Sequence, residues 1–138
     1  MKRYSFEDLK VWQEARKLAV MVYELTRSFP KEEMFGLSIQ MRRAAISIAS
    51  NIAEGSSRGT KKDQLRFYEI AYGSAIELLN QCVISTDLGL MTKEKLHEIR
   101  ECISGITYML HKLRVATSKS NYLREPNTDY ENDPDINP

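Results

Sequence analysis

The chain has 138 residues, 42% hydrophobic and 28% charged, a profile of one globular domain long enough to bury a core. No apolar run of about 18 residues occurs and the opening MKRYSFEDLK has no apolar signal core, so no membrane span and a cytoplasmic location are expected. The formal net charge of +1 hides an asymmetry: residues 120–138 carry −4 (Glu125, Asp129, Glu131, Asp133 and Asp135 against Arg124), leaving +5 on the rest.

In chain order, the first predicted helix starts at SFED, where Ser5 and Asp8 have capping-box spacing. Val11, Ala15, Leu18, Val22, Leu25 and Phe29 then recur every three or four residues, which places them on one face, and Pro30 ends the helix. PKEEMFG is a connector. The second helix is predicted over Leu37–Ala53, with Gly55 as its C-terminal cap and a Ser/Gly loop after it. Thr60 and Asp63 form another capping box and open the third helix. Its seam reads Leu65, Tyr68, Tyr72, Ala75, Leu79, Cys82, Thr86, a heptad spacing that stops at Gly89. Thr92 caps the fourth helix, whose seam is Leu96, Ile99, Ile103, Ile106, Leu110, Leu113, Thr117. Cys82 and Cys102 lie at similar distances from the turn between these helices and read as small buried thiols. After Lys119 the apolar period ends, and prolines, Asn and Asp take over. The expected fold is therefore all-α: an antiparallel up-down four-helix bundle over residues 1–119, followed by a disordered acidic C-terminal tail over 120–138.

The second helix carries more apolar surface than one bundle position needs. At about 100° per residue, Leu37, Met41, Ala44, Ile48 and Ile52 make one stripe. Ile39, Ile46 and Ala53 make a second, nearly opposite, with Ala45 and Ala49 filling one gap. The extra stripe needs either a closely packed neighbouring helix or another subunit, and the spacing leaves both open. The candidate oligomer interface is Ile39, Arg42, Ile46, Ala49 and Ala53. Arg42 falls among the alanines, where an arginine has to be paired or to extend its head to water; Glu54 and Glu77 are candidate partners.

Bases cluster between Arg42 and Arg66. Arg58, Lys61 and Lys62 flank a helix start, where backbone amides and the helix dipole favour anions. With Arg43 and Arg66 they form a candidate nucleic-acid-binding set of the salt-sensitive, sequence-tolerant kind. Phe67, Tyr68 and Tyr72 lie close enough to stack on bases, although the heptad places both tyrosines in the core. Catalytic chemistry finds no support. His97 and His111 are 14 residues apart on one helix, too far for shared metal ligation. The single Glu94-x-x-His97 lacks the second copy that a di-iron bundle needs. No phosphate loop, dinucleotide fingerprint, nucleophile elbow or zinc signature occurs. No catalytic residue, metal site or cofactor is assigned, and an enzyme is not expected.

From Phe6 to Lys119 the sequence resembles the four-helix proteins encoded within intervening sequences of bacterial 23S rRNA genes. The matching stretches are F-x-D-L-x-V-W-Q, the F-P at the first turn, G-L-x-x-Q-x-R-R-A-A-x-S-I-x-x-N-I-A-E-G, and R-F-x-x-I-A-x-G-S. Ala49 departs from the pattern, since many relatives carry proline there; a straighter helix is expected. The resemblance implies a homopentameric ring of four-helix bundles. The chain is also similar to the accessory protein of diversity-generating retroelements, a basic pentamer that works with a reverse transcriptase and RNA. Together these imply a non-catalytic, oligomeric adaptor associated with RNA or other nucleic acid, with a reverse transcriptase or a ribosome-associated protein as a further partner. The alternative is a protein-interaction scaffold built on the same homo-oligomeric ring, without nucleic acid.

Overall fold

The computed structural model describes residues 2–120. Four helices follow one another: α1 (Lys10–Thr26), α2 (Leu37–Ser57), α3 (Lys61–Asp87) and α4 (Lys93–Lys119). Each packs against the two beside it, in the cyclic order α1–α2–α3–α4–α1. This is the expected up-down bundle, and the described residues contain no strand. The tail expected over 120–138 lies, apart from Ser120, outside the described residues. Among those residues, no helix is long and apolar enough to cross a membrane.

The start differs from the predicted single helix. Ser5–Asp8 form a 3₁₀ turn, and Leu9 is extended (ψ 121°) before α1 begins. The Ser5/Asp8 capping box does not form; the Glu7 carboxylate instead accepts from the Tyr4 N–H at 3.0 Å. The bend buries Leu9 and stands the Phe6 ring edge-on to Trp12, with ring centroids 5.0 Å apart. Those apolar contacts outweigh one more turn of helix. α1 also ends early, at Thr26, but Phe29 is still buried beyond it.

α2 runs past its predicted cap. Gly55 lies inside the helix, and Arg58 is the C-cap. A Cβ on Gly55 would stand 2.7 Å and 2.9 Å from two ring carbons of Tyr68 and 3.1 Å from the Phe67 Cβ. The glycine is thus there to let α3 approach, rather than to supply a left-handed cap. Ser56 and Ser57 turn their hydroxyls back to the carbonyls of Ala53 and Glu54. The expected Ser/Gly loop shrinks to Arg58–Thr60.

α3 and α4 are capped as predicted: Thr60 and Thr92 accept from the amides of Asp63 and Lys95 at 3.2 and 3.1 Å. Between them Gly89 adopts φ +79°, and the amides of Gly89 and Leu90 bond to the carbonyls of Thr86 and Ser85. This paired closure needs the left-handed conformation that glycine takes freely. The α4 seam is as predicted from Ile99 to Thr117, all buried, with Leu96 half-buried. The α3 seam is shifted. Tyr68, Ala75 and Cys82 are buried, but Leu65, Tyr72, Leu79 and Thr86 are half-buried, and Gln64, Ala71, Leu78 and Ser85 take the inner positions. Small and polar residues line the contact with α2, including a 2.8 Å hydrogen bond between the hydroxyls of Ser47 and Ser74. Cys82 and Cys102 are both free thiols in different seams: Cys82 is in the core, whereas Cys102 is half-buried in a groove between α1 and α4.

Candidate nucleic-acid interface

The up-down order brings three chain segments to one end: the start of α1, the α2–α3 junction and the last turn of α4 with Ser120. The junction is short and tied down. The Arg58 N–H donates to the Gly55 carbonyl, and the Gln64 side-chain amide donates to the Arg58 carbonyl at 3.2 Å. The bases of the junction therefore sit on a fixed frame.

Arg58 is half-buried. Its guanidinium lies 4.6 Å from the Phe67 ring centroid and donates to the Glu54 carboxylate at 2.7 Å. Arg66 reaches the same ring, at 4.8 Å. Phe67 is thus a shared platform for two cations, and the close approach at Gly55 fixes its backbone. Lys61 donates from Nζ to the Ser118 carbonyl at 3.0 Å, within the last turn of α4, where the helix dipole favours a cation. Lys62 is exposed. Of these four bases, only Arg58 forms an ion pair among the described residues. An aromatic face or a carbonyl orients a cation without neutralising it, so the field of the cluster stays outward.

Arg43 is not part of this cluster. It is exposed on α2, fifteen residues before Arg58, which is about 22 Å along the helix axis. Arg42 has neutral partners on α1 in place of Glu54 or Glu77. Its Nε donates to Thr26 Oγ1 at 2.8 Å, and its guanidinium lies 4.7 Å from the Tyr23 ring centroid. Glu54 is engaged by Arg58, and Glu77 accepts from Gln81 at 3.3 Å. A search by charge alone misses these partners of Arg42, because both acceptors are neutral, a hydroxyl and a π face.

The aromatic candidates divide. Tyr68 is wholly buried, which removes it from base stacking. Tyr72 is half-buried with the Arg114 guanidinium 5.8 Å from its centroid. Phe67 is half-buried beneath its two arginines. Sequence reasoning missed the contribution of α4. Beside the junction, Leu65, Glu69, His111, Arg114, Val115, Ser118 and Lys119 line an open groove of about 580 Å³ between α3 and α4. Antiparallel pairing of α3 with α4 was the available signal, since it sets the last turn of one beside the first turn of the other.

The candidate interface residues of α2 lie along its α1 side. Ile39, Arg42, Ala49 and Ala53 are half-buried, whereas Ile46 is 44% exposed one turn beyond Arg42. On α1, Val20 and Tyr23 are exposed as well. Ala44 and Ala45 belong to the bundle's own core.

The model of the 23S rRNA-intervening sequence proteins matches residues 7–112. A crystal structure of a protein of unknown function from the S23 ribosomal protein family of Bacteroides thetaiotaomicron is similar in fold, with a TM-score of 0.71 and 23% sequence identity. The match covers 76% of this chain and 95% of that one. No curated protein matches the chain.

Proposed function

The chain belongs to the 23S rRNA-intervening sequence protein family, and from that premise we propose that it is a non-catalytic, oligomeric adaptor that associates with nucleic acid, RNA in the first place. The observation that carries this is the junction cluster: Lys61, Lys62 and Arg66 stand together on the first turns of α3 at one end of the bundle, Lys61 oriented by the Ser118 carbonyl and Arg66 by the Phe67 ring, and none of the three forms an ion pair among the described residues. Such an array suits phosphates and does not discriminate bases. In the oligomer, assembly repeats the cluster, and several weak contacts to one strand add as avidity. The earlier resemblance supports five copies, with a reverse transcriptase or ribosome-associated protein as an additional partner.

The test is filter binding of single-stranded RNA at several salt concentrations. Affinity should fall steeply with salt, and Lys62→Glu with Arg66→Glu should lower it by at least about tenfold while the helical signal is unchanged. Binding indifferent to salt, or none by the intact oligomer, would sink the proposal.

A second reading, a protein-interaction scaffold on the same ring, is favoured by the exposed apolar side chains Ile46, Val20 and Phe35, the last 89% exposed. It predicts no copurifying nucleic acid. Ile39→Glu with Ile46→Glu should dissociate the oligomer, as seen by light scattering; an intact, folded oligomer after both changes would place the stripe outside the subunit contact.

A further inference from the structure

We propose that the chain's own acidic residues 121–138 dock along the basic end of the bundle, in the groove between α3 and α4, and there compete with an external polyanion; the competition, though not the docking, rests on the function proposed above.

The exit point carries the first part. The chain is held to the bundle up to Ser120, whose N–H bonds to the carbonyls of Ala116 and Thr117. Ser118 and Lys119 already form the rim of the groove. Whatever follows Ser120 therefore begins at this site, with no long span to cross.

Charge carries the second part. Residues 121–138 hold Glu125, Asp129, Glu131, Asp133 and Asp135 against Arg124 alone. The groove presents Arg114 and Lys119 with Glu69 as its one acid, and on the adjoining first turns of α3 Lys61, Lys62 and Arg66 outnumber the single acid Asp63. The Lys61–Ser118 contact at 3.0 Å draws those turns against the exit point. Glu125 is five residues beyond Ser120, a reach of up to about 17 Å, and the later acids reach farther. That range covers the whole basic end. Opposite charges so tethered attract over about 10 Å at moderate salt.

Apolar surface carries the third part. Leu65 and Val115 lie in the groove, Val115 being 37% exposed. The segment carries Tyr122 and Leu123 ahead of its acids and Tyr130 among them, apolar rings and chains that suit such a floor. A tethered segment also acts at an effective concentration on the order of millimolar, so weak docking suffices to oppose a free ligand.

The experiment compares the full-length chain with a full-length variant carrying Glu125→Gln, Asp129→Asn, Glu131→Gln, Asp133→Asn and Asp135→Asn. Backbone amide NMR at about 50 mM salt should show shift changes confined to Lys61–Arg66 and His111–Lys119, and these should vanish near 500 mM. Identical body spectra for the two chains at low salt would overturn the docking. A labelled oligouridylate should bind the neutralised variant about fivefold tighter at low salt, with the two chains converging at high salt. Measurable but equal affinities would overturn the competition. Shifted spectra with no oligouridylate binding by either chain would uphold the docking and overturn the nucleic-acid function alone.

Discussion

The α2–α3 pair and the α1–α4 pair do the same job with different side chains. Between α2 and α3 the contact is the most extensive in the molecule, with Gly55 set against the Tyr68 ring and the Ser47 and Ser74 hydroxyls paired across it. Between α1 and α4 the contact is the thinnest, and an open groove of about 430 Å³ remains, lined by Glu14, Cys102, Gly105, Tyr108 and Met109 among others. Small residues let helix backbones approach, whereas long ones hold them apart. The tight pair is also the pair whose junction carries the basic cluster, so close packing and a fixed array of cations have one cause. The loose pair offers shape but no convergent charge of one sign, since Lys10 and Lys112 face Glu14 and Glu101 there.

The largest expected effect comes from the tight side. Tyr68→Ala should lose about 3–5 kcal/mol in urea unfolding, because the ring is wholly buried. Gly55→Ala should lose about 1–3 kcal/mol, since the new methyl group would meet that wholly buried ring at 2.7 Å. The double variant should lose clearly less than the sum, as the methyl group then enters the space the ring has left. Additive losses would show that the helices are not held in register by this contact.

The cysteines sharpen the comparison chemically. Burial pushes the Cys82 thiol from 9.0 up to about 12, while Cys102 is raised by burial first and then by the Glu14 and Glu98 carboxylates. A thiol that stays protonated only in the folded state stabilises that state fully below its unfolded value, and this contribution is lost as pH rises from there towards 12. Between pH 9 and 10 the native chain should therefore lose about 1 kcal/mol more than Cys82→Ala does. A thiol reagent should modify Cys102 first and reach Cys82 only through global unfolding; equal rates would contradict the difference between the two seams.

The smallest effect has the opposite sign. Gly105 lies within α4 on the open groove, and a Cβ there meets nothing within 4 Å. Gly105→Ala should stabilise the chain by about 0.5–1 kcal/mol through helix propensity. The same substitution thus separates the two pairs by its sign.

Four helices, their caps at Thr60 and Thr92 and the α4 seam could be read directly, because Ile and Leu at heptad spacing leave one solution. The α3 register could not. Leu65, Tyr72 and Leu79 are the more apolar residues, yet Ala71, Ser74 and Ser85 sit inside, since proximity to α2 rather than hydrophobicity selects the inner positions. Gly55 sits where helices commonly end, and only the position of Tyr68 reveals its purpose. At the site, the bases of the junction were visible as a charge cluster. Their partners were not: a ring for Arg58 and Arg66, and a carbonyl fifty-seven residues away for Lys61, are products of tertiary structure.

An even number of antiparallel helices returns a chain to the end where it began. The 3₁₀ turn at Ser5–Asp8 and the exit at Ser120 therefore share an end with the α2–α3 junction. A fusion partner, affinity handle or dye joined at Lys2 or directly after Ser120 starts at the end of the bundle that carries the basic cluster. The Gly89 turn lies at the far end of the bundle, and a surface anchor or label placed there leaves the cluster accessible to whatever is being measured.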